Sequence, residues 1–293
     1  MTSTSPISLA QSVAENVADG DTVFLGGFGH AVPSATVHEL IRQGKRDLTL
    51  VRSGSDVLVD MLIARGVVRK VVFGWIGNPS IGLAHSFRRA VAAGTIEYEE
   101  WTNFSLVLRL EAARLGVPFL PARILRAGDV AQGLPDLQDV TCPYTGEQLT
   151  AIPAIDVDVA LIHGQRADAD GNVQLWGVRG DTVTGAMAAK RVVASVEELV
   201  PTERIVATPN LTIVPAHRVA GLSVVPWGAH PSYVQDHYVR DDRYYLAYDK
   251  ASRTAEGLEE HLAHWVDGVA DREEYLRLID MEALRFTGEP YRA

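Results

Sequence analysis

This sequence is short of two things, cysteine and positive charge. Its 293 residues include one cysteine, Cys142, and 27 lysines and arginines against 37 aspartates and glutamates, for a formal net charge of −10. One cysteine cannot form an internal disulfide, which fits a reducing compartment. A deficit of basic residues argues against nucleic acid, because phosphate binding depends on clustered Lys and Arg. Small anions are still possible ligands, since backbone N–H groups can hold them.

Long apolar runs are also missing. No run approaches the ~20 residues that a membrane-spanning helix needs. The N-terminus has neither a basic start nor a continuous apolar stretch, so it does not have the pattern of a secretory signal. The hydrophobic share of 47% and charged share of 22% are those of a globular protein. We therefore expect a cytoplasmic protein that contacts neither membrane nor nucleic acid.

Short β-branched runs alternate with amphipathic stretches along the first part of the chain. The strands are predicted at residues 22–27, 48–53, 70–76 and 96–101, and the helices between and after them at 34–44, 56–66, 83–94 and 105–116. The strands are continuously apolar rather than alternating, which is typical of a parallel sheet buried on both faces. The pattern predicts an α/β fold: an open, mostly parallel sheet with helices on both faces.

The rest of the chain is less regular, but nothing divides it cleanly. Residues 117–155 are rich in proline and glycine and predict loops and short strands. Two more buried strands are predicted at 157–164 and 191–199, and 205–248 is expected to mix short strands with loops. From about 254 the spacing of apolar residues predicts helix. We expect one domain over residues 1–293.

The first strand ends in a glycine-rich loop, Gly26-Gly27-Phe28-Gly29-His30, and a helix follows. Ligands of parallel sheets bind at the carboxyl ends of strands, where glycines let them approach the backbone. A dinucleotide site would need a third glycine, and an acidic residue where the second strand ends in Arg52-Ser53. The loop therefore indicates a small-anion site, or a tight strand–helix turn without a ligand.

Acidic residues and an amide follow the fourth strand. Alternation places Glu97 and Glu99 on one face and Glu100 on the other, so a paired-carboxylate site requires one pair to face a cleft. Solvated acids at a sheet edge are the plainer interpretation for Glu97 and Glu99. Asn103 lies where the strand gives way to the helix predicted to begin near Ser105. Its amide either orients a ligand or caps that helix.

Other chemically suggestive residues carry weaker signals. His261 and His264 are one helical turn apart and could bind metal with Glu260, but no third cluster of ligands is visible, so packing or surface histidines are expected and no metal site is predicted. Cys142 has no nearby histidine and is expected to be a small buried residue. Neither a Gly-x-Ser-x-Gly elbow nor a Walker loop occurs.

Six segments, taken in order, resemble the α subunits of family I CoA transferases. They span most of residues 19–248, and the last is similar to the glutaconate-type α subunits in particular. The segments are DGDTVFLGGFGHAVPSATVHEL (19–40), RDLTLVRSG (46–54), GVVRKVVFGWIGNPS (66–80), GTIEYEEWTNFSLVLRLEAARLGVPFLPAR (94–123), DVALIHGQRADADGN (158–172) and VVPWGAHPSYVQDHY (224–238). The resemblance implies the CoA-transferase fold, which is also the NagB-like fold.

The resemblance also implies the chemistry and a partner. Family members use a glutamate in a Ser-Glu-Asn-Gly-like motif of the β-type subunit, which forms a glutamyl-CoA thioester and passes CoA to an acceptor carboxylate. This chain has no such motif; Ala14-Glu15-Asn16-Val17 is a chance echo in the first helix. The expected protein is thus one half of an αβ or α2β2 enzyme. Acyl-CoA and a small carboxylic acid are its substrates, and no tightly bound cofactor is expected.

By the same resemblance, the α half supplies polar groups that face the glutamate. Asn103 falls where 3-oxoacid transferases carry a glutamine near the reacting centre, which implies an oxyanion-binding or orienting amide. The implied substrate and CoA contacts are Gly26, Gly27, Phe28, Gly29, His30, Asn78 and Glu100.

Two other functions remain open at this stage. Related steroid-ring hydrolases have the same fold and a glutamate where this chain has Asn103, which cannot act as a base. Sugar-phosphate-binding regulators share this kind of fold too, but a regulator would normally carry a basic helix-turn-helix, and none is readable here. Transfer of CoA is the leading hypothesis.

Overall fold

The computed structural model describes residues 6–126, 128–134 and 136–289, which hold eleven α-helices and twelve β-strands. The helices are α1 (Leu9–Asn16), α2 (Ser34–Arg42), α3 (Val57–Ala64), α4 (His85–Ala93), α5 (Asn103–Leu115), α6 (Asp129–Gln132), α7 (Thr182–Ala188), α8 (Thr202–Val206), α9 (Asp242–Ser252), α10 (Ala255–Leu262) and α11 (Arg272–Arg277). The strands are β1 (Thr22–Leu25), β2 (Leu48–Ser55), β3 (Val68–Ile76), β4 (Glu97–Glu100), β5 (Phe119–Ala122), β6 (Gln138–Thr141), β7 (Gln148–Pro153), β8 (Val159–Ala167), β9 (Val173–Gln174), β10 (Arg191–Leu199), β11 (Thr212–Val214) and β12 (Val219–Val224).

Nine of these strands form one sheet. Seven run parallel in the order β12-β10-β8-β1-β2-β3-β4, and the short strands β9 and β11 add an antiparallel extension beside the end of β8. The first strand occupies the middle, with Val23 opposite Leu50 on one side and Val159 on the other. This confirms the predicted α/β class. All seven parallel strands therefore end at one edge of the sheet.

The central strands are apolar on both faces because each face is covered. Val23 and Leu25 belong to the core under α2, where Leu40 is buried. Phe24 points to the other face and packs in the core that contains Leu106 of α5. Side chains alternate along a strand, so a strand between two helical layers needs apolar residues at every position.

Two regions differ from the simple alternation. The irregular segment contains a separate antiparallel sheet in the order β5-β7-β6, which packs Ile152 into the core beside α5. The expectation of only strands and loops up to residue 248 is wrong from residue 242 onward, where α9 begins. Its buried face is made of Tyr244, Tyr245 and Tyr248. Tyrosines favour strands as much as helices, which hides the helical period.

The turn after β1 depends on glycine at one position. Gly27 has a φ of +85°, and a Cβ placed there would lie 2.7 Å from Val32 Cα and 2.8 Å from the Ala31 carbonyl oxygen. Backbone atoms cannot move aside as a flexible side chain can. Gly29 also has positive φ, at +67°, but no atom lies within 4 Å of its hypothetical Cβ. The chain can therefore reverse tightly at Gly27 only without a side chain.

Buried histidines and aromatic rings join α2, α9, α10 and α11. His230 lies 2.8 Å from the Tyr275 hydroxyl through Nδ1 and 3.1 Å from Asp241 through Nε2. Neither ring nitrogen of His38 has a hydrogen-bond partner among the described residues. Burial lowers the pKa of His38 and His230, and burial together with the charge of His264 lowers the pKa of His261 to about 4. The cluster is therefore built for neutral histidines.

We predict that Gly27→Ala destabilises the protein far more than Gly29→Ala. Both changes place a side chain at positive φ, which costs roughly 1–2 kcal/mol. Only the change at Gly27 also forces Cβ into the backbone of residues 30–32. Urea denaturation of the two variants measures the difference. Equal losses of unfolding free energy would show that the turn adapts to a side chain.

We also predict that the free energy of unfolding falls as the pH drops from about 6.5 toward 4. The unfolded chain takes up a proton at His261 near its ordinary pKa of 6.5, whereas the folded chain does so only near 4. Protons therefore favour unfolding in this window, by about 1.4 kcal/mol per pH unit for each such group. Denaturation at several pH values should show a shallower slope for His261→Phe. His217→Gln, at an exposed position, is the control that should keep the original slope.

Candidate active site

The glycine-rich loop lies at the carboxyl edge of the parallel sheet, beside the ends of β1, β2 and β8. Three other segments surround it: residues 52–56, residues 177–182 and residues 233–235. Ala31 N–H donates to the Tyr233 carbonyl, which closes one side of the loop. This is the edge at which parallel sheets bind their ligands.

Gly27 is hydrogen-bonded through both its N–H and its carbonyl. Its N–H donates to Thr182 Oγ1 over 2.8 Å, and its carbonyl accepts from Arg52 Nη2 over 2.8 Å. The Arg52 guanidinium is itself buried and paired with Asp56 at 3.2 and 2.9 Å. Gly26 is close-packed before it, because a Cβ there would lie 3.0 Å from the Ile162 side chain.

The tip of the loop has unused hydrogen-bond donors. Phe28 and Gly29 are exposed, and within the described ranges their backbone N–H groups have no hydrogen-bond partner. The Phe28 ring rests on Gly54, where a Cβ would come within 2.7 Å of it, and its Cβ rests on Gly180. A rigid turn that directs free N–H groups outward can bind an anion or a developing oxyanion.

His30 lies beneath this tip with no free polar atom. Its Nδ1 lies 2.8 Å from the Val178 carbonyl oxygen, and Gln235 N–H donates to its Nε2 over 3.1 Å. A backbone donor at Nε2 and an acceptor at Nδ1 fix the neutral tautomer with its proton on Nδ1. Burial lowers its pKa to about 4. The imidazole thus joins three loops, and a direct contact of His30 with substrate stays a prediction.

Asn103 lies at the same edge, at the first residue of α5. The helix is capped by Thr102, whose hydroxyl accepts from Ser105 N–H while Ser105 Oγ accepts from Thr102 N–H. The idea that Asn103 caps the helix is therefore wrong, because the helix starts two residues before Ser105. Asn103 lies against Gly74 of β3 through both its amide oxygen Oδ1 and its backbone, and its amide has no hydrogen-bond partner in the described part of the chain.

The order of the strands in the sheet determines how close Phe28 and Asn103 lie along this edge. Phe28 rests on β2 through Gly54 and Asn103 rests on β3 through Gly74. These strands are neighbours, and Gly54 is paired with Trp75, the residue after Gly74. Adjacent strands are about 4.8 Å apart. The fold thus brings Phe28 and Asn103 to neighbouring strands at this edge, where they contact glycines that face opposite sides of the sheet.

Asn78 and Glu100, the two other predicted substrate contacts, differ in their surroundings. Asn78 is buried, donates through Nδ2 to the Tyr245 carbonyl over 3.0 Å, and closes a turn by backbone bonds with Gly82. Its Oδ1 has no partner among the described residues. Glu100 is exposed at the end of β4 and, in the described structure, makes no ion pair. Their contacts with CoA or substrate stay predictions.

The acidic residues before Asn103 do not form a carboxylate pair. Glu97 is exposed and pairs with Arg69. Glu99 is half-buried and pairs with Lys70 and Arg109. Burial acts to raise the pKa of Glu99, but hydrogen bonds from Lys70 and Trp101 and the charge of Arg109 hold it below its usual value. It is therefore an ionised structural group rather than a general acid.

The weaker candidates are structural or peripheral. Cys142 is half-exposed in the turn between β6 and β7, so the expectation of a buried cysteine is wrong. His261 packs among Tyr244, Tyr248 and Trp265. Among the described residues no group of three or more His, Cys, Asp or Glu side chains could hold a metal ion. In the same part of the chain, no helix has the length and apolar character to cross a membrane.

Some residues around the loop were not predicted from sequence. Thr182 is 155 positions from Gly27 and follows no motif, so only the fold reveals their contact. Arg52 and Asp56 offered a signal, a basic residue at a strand end with an acidic residue four positions later. That spacing is informative only once the helix cap at Asp56 is known.

Several known proteins are similar to this chain in sequence. The coenzyme A transferase family pattern matches residues 7–220. The A-type subunit of 3-oxoadipate CoA-transferase from Pseudomonas knackmussii is 40% identical over 92% of this chain and 96% of its own length. A cholesterol ring-cleaving hydrolase IpdA subunit from Rhodococcus jostii is 34% identical over 90% of this chain and 93% of its own length.

A solved structure extends the likeness to three dimensions. The crystal structure of glutaconate coenzyme A-transferase from Acidaminococcus fermentans matches with a TM-score of 0.92 and 30% sequence identity, over 97% of this chain and 96% of that one. The fold, the loop at the carboxyl edge and the matched sequence agree. This chain belongs to the coenzyme A transferase family of enzymes.

Proposed function

We propose that the chain is the A-type subunit of a heteromeric, cytoplasmic CoA transferase. The assembled enzyme moves CoA from an acyl-CoA thioester to a small carboxylic acid. CoA and acyl-CoA serve as substrates, and no tightly bound cofactor takes part. The relatives that are A-type subunits of 3-oxoadipate and glutaconate CoA-transferases support this assignment.

The observation that carries the proposal is the pair of free N–H groups at the loop tip. Phe28 and Gly29 are exposed, while Gly27 before them is held on both sides. Attack on a thioester carbonyl develops negative charge on its oxygen. Donors that are already fixed in place stabilise that charge without reorganising during the reaction.

Asn103 is the second donor group that we assign to this edge. Its backbone is fixed by the Thr102 cap and by contact with Gly74, while its amide is unpaired in the described part of the chain. It also lies at the N-terminus of a 13-residue helix, where the helix dipole favours negative charge. An amide cannot act as a base, so its role in the proposal is to donate to, or orient, the reacting carbonyl.

The partner subunit supplies the nucleophile in this proposal. It carries the glutamate that accepts CoA as a glutamyl-CoA thioester, in an αβ or α2β2 assembly. Exposed aromatic side chains near the candidate site support a docking surface here: Phe28 is 45% exposed, Trp75 43% and Phe104 60%. Large aromatic side chains are enriched in protein interfaces.

A hydrolase is the second candidate, because a ring-cleaving hydrolase subunit is 34% identical to this chain. In that function water replaces the acceptor acid. The two outcomes separate in one assay of the assembled enzyme: a transferase makes a new acyl-CoA only when an acceptor is present, whereas a hydrolase consumes its acyl-CoA without one.

We predict that this chain alone has no CoA-transferase activity and gains it with its partner. The test is co-expression with a chain that carries a Ser-Glu-Asn-Gly-like motif, then a screen of acyl-CoA donors against acceptors that include 3-oxoadipate and glutaconate. Turnover should appear only in the complex. Replacing the partner's motif glutamate with glutamine is the control and should abolish it. Turnover by the single chain would overturn the assignment of the nucleophile.

We predict that Asn103→Ala lowers kcat of the complex by on the order of 100-fold, the usual cost of one oxyanion donor, with a smaller effect on KM. Thr254→Ala is the matched control, because Thr254 caps α10 by accepting from Gly257 N–H, away from the candidate site. It removes the cap and should cost about 1 kcal/mol of stability while leaving kcat near wild type. Steady-state kinetics and thermal melting of both variants are the measurements. Unchanged kcat in Asn103→Ala would remove Asn103 from the site.

A further inference from the structure

Gly27 joins the loop to two distant parts of the fold through its N–H and its carbonyl, which belong to two successive peptide groups. Thr182 accepts its N–H and Arg52 donates to its carbonyl, both over 2.8 Å and both buried. The next two residues carry the unpaired N–H groups of the loop tip. The Gly27 carbonyl and Phe28 N–H share one planar trans peptide group, so the bond from Arg52 fixes the direction of Phe28 N–H, and the bond to Thr182 fixes the peptide group before it.

Arg52 is fixed independently of the loop. Asp56 binds its guanidinium through both carboxylate oxygens, at 3.2 and 2.9 Å, and also accepts from Leu58 N–H as the cap of α3. A guanidinium stays charged when buried, and its planar fork matches a carboxylate. Nη2, which binds Asp56 Oδ2 and the Gly27 carbonyl at once, is thus held in one direction by β2 and α3.

Thr182 is fixed from the other side of the loop. It is the first residue of α7, and its side chain is fully enclosed. Its methyl group lies 3.1 Å from the position a Cβ would take at Gly26, so both branches of the side chain touch the loop base.

We infer that Thr182 and Arg52 are positioning residues for the reaction, which hold the two peptide groups on either side of Gly27 so that the N–H groups of Phe28 and Gly29 face the reacting carbonyl. This inference rests on the proposed function of the loop. Neither side chain touches the substrate in this scheme. Loss of either contact with Gly27 should therefore weaken stabilisation of the charged transition state more than binding of the neutral thioester group.

The direct test is Thr182→Val, which keeps the shape and removes the acceptor of Gly27 N–H. In the assembled enzyme, kcat should fall on the order of tenfold, with KM changed by less than about threefold. Thr182→Ser keeps the hydroxyl and should recover most of the wild-type kcat. Thr150→Val is the matched control. Thr150, in β7 of the separate antiparallel sheet, is equally buried but donates its hydroxyl to the Ile124 carbonyl. It should lose stability without losing kcat.

A second measurement does not depend on activity. Hydrogen exchange at the Gly27 amide should speed up about fivefold or more in Thr182→Val, as expected for loss of one hydrogen bond, and not in Thr182→Ser. Wild-type kcat and wild-type exchange in Thr182→Val would overturn the inference while the proposed function stands. If the wild-type complex transfers no CoA, the proposed function fails, and the catalytic role of Thr182 and Arg52 fails with it. Faster exchange in Thr182→Val would then show only that the hydrogen bond to Gly27 exists.

Arg52→Lys extends the test to the carbonyl side. Lysine keeps the charge opposite Asp56 but cannot bind both carboxylate oxygens and Gly27 in one plane. The same pattern is expected, with kcat reduced more than KM. A variant that folds and turns over at the wild-type rate would show that Arg52 only neutralises Asp56.

Discussion

The buried ion pair of Arg52 and Asp56 is the constraint on which the rest of this site depends. A guanidinium inside a protein must be paired and hydrogen-bonded, since an unpaired buried charge costs several kcal/mol. Here its partners are a helix cap and the carbonyl of the glycine loop. Satisfying one charge therefore fixes β2, α3 and the loop after β1 relative to each other. The N–H groups at the loop tip are held in place as a result, because they follow directly after Gly27.

The parallel core could be predicted because its signal is local. The end of β1 (Val23–Leu25) and the first half of β8 (Val159–Ile162) are continuous apolar runs, and the helix after β1, α2, has a buried apolar face. Order along the chain and the right-handed crossover then favour a parallel sheet. Helix α9 was missed for the opposite reason. Its buried face consists of tyrosines, whose hydroxyls and strand preference obscure a helical period that tertiary packing enforces.

The site was predicted only in part, because its geometry comes from residues far apart in sequence. Gly27 could be singled out by its place between strand and helix, but not its contact with Thr182. Asn103 shows the limit at short range. Sequence alone left capping and ligand contact equally open, and only the Thr102–Ser105 capping box removes the first. His30 shows the reverse case, a histidine in the right loop whose ring nitrogens are both used internally.

These features share one physical logic. The loop-tip N–H groups and the Asn103 amide, which have no internal partner in the described part of the chain, lie at the exposed edge. Each is attached to backbone that internal hydrogen bonds fix. Fixed donors lower a barrier because their orientation does not have to be organised during the reaction. A mobile lysine at an exposed edge could also stabilise the developing negative charge, but its side chain would lose conformational entropy on becoming ordered. In the function proposed above, a rigid half that presents donors and a partner that brings the nucleophile divide one reaction between two chains. The buried contacts of Thr182 and Arg52 with Gly27 would then keep the geometry of this half before the partner binds.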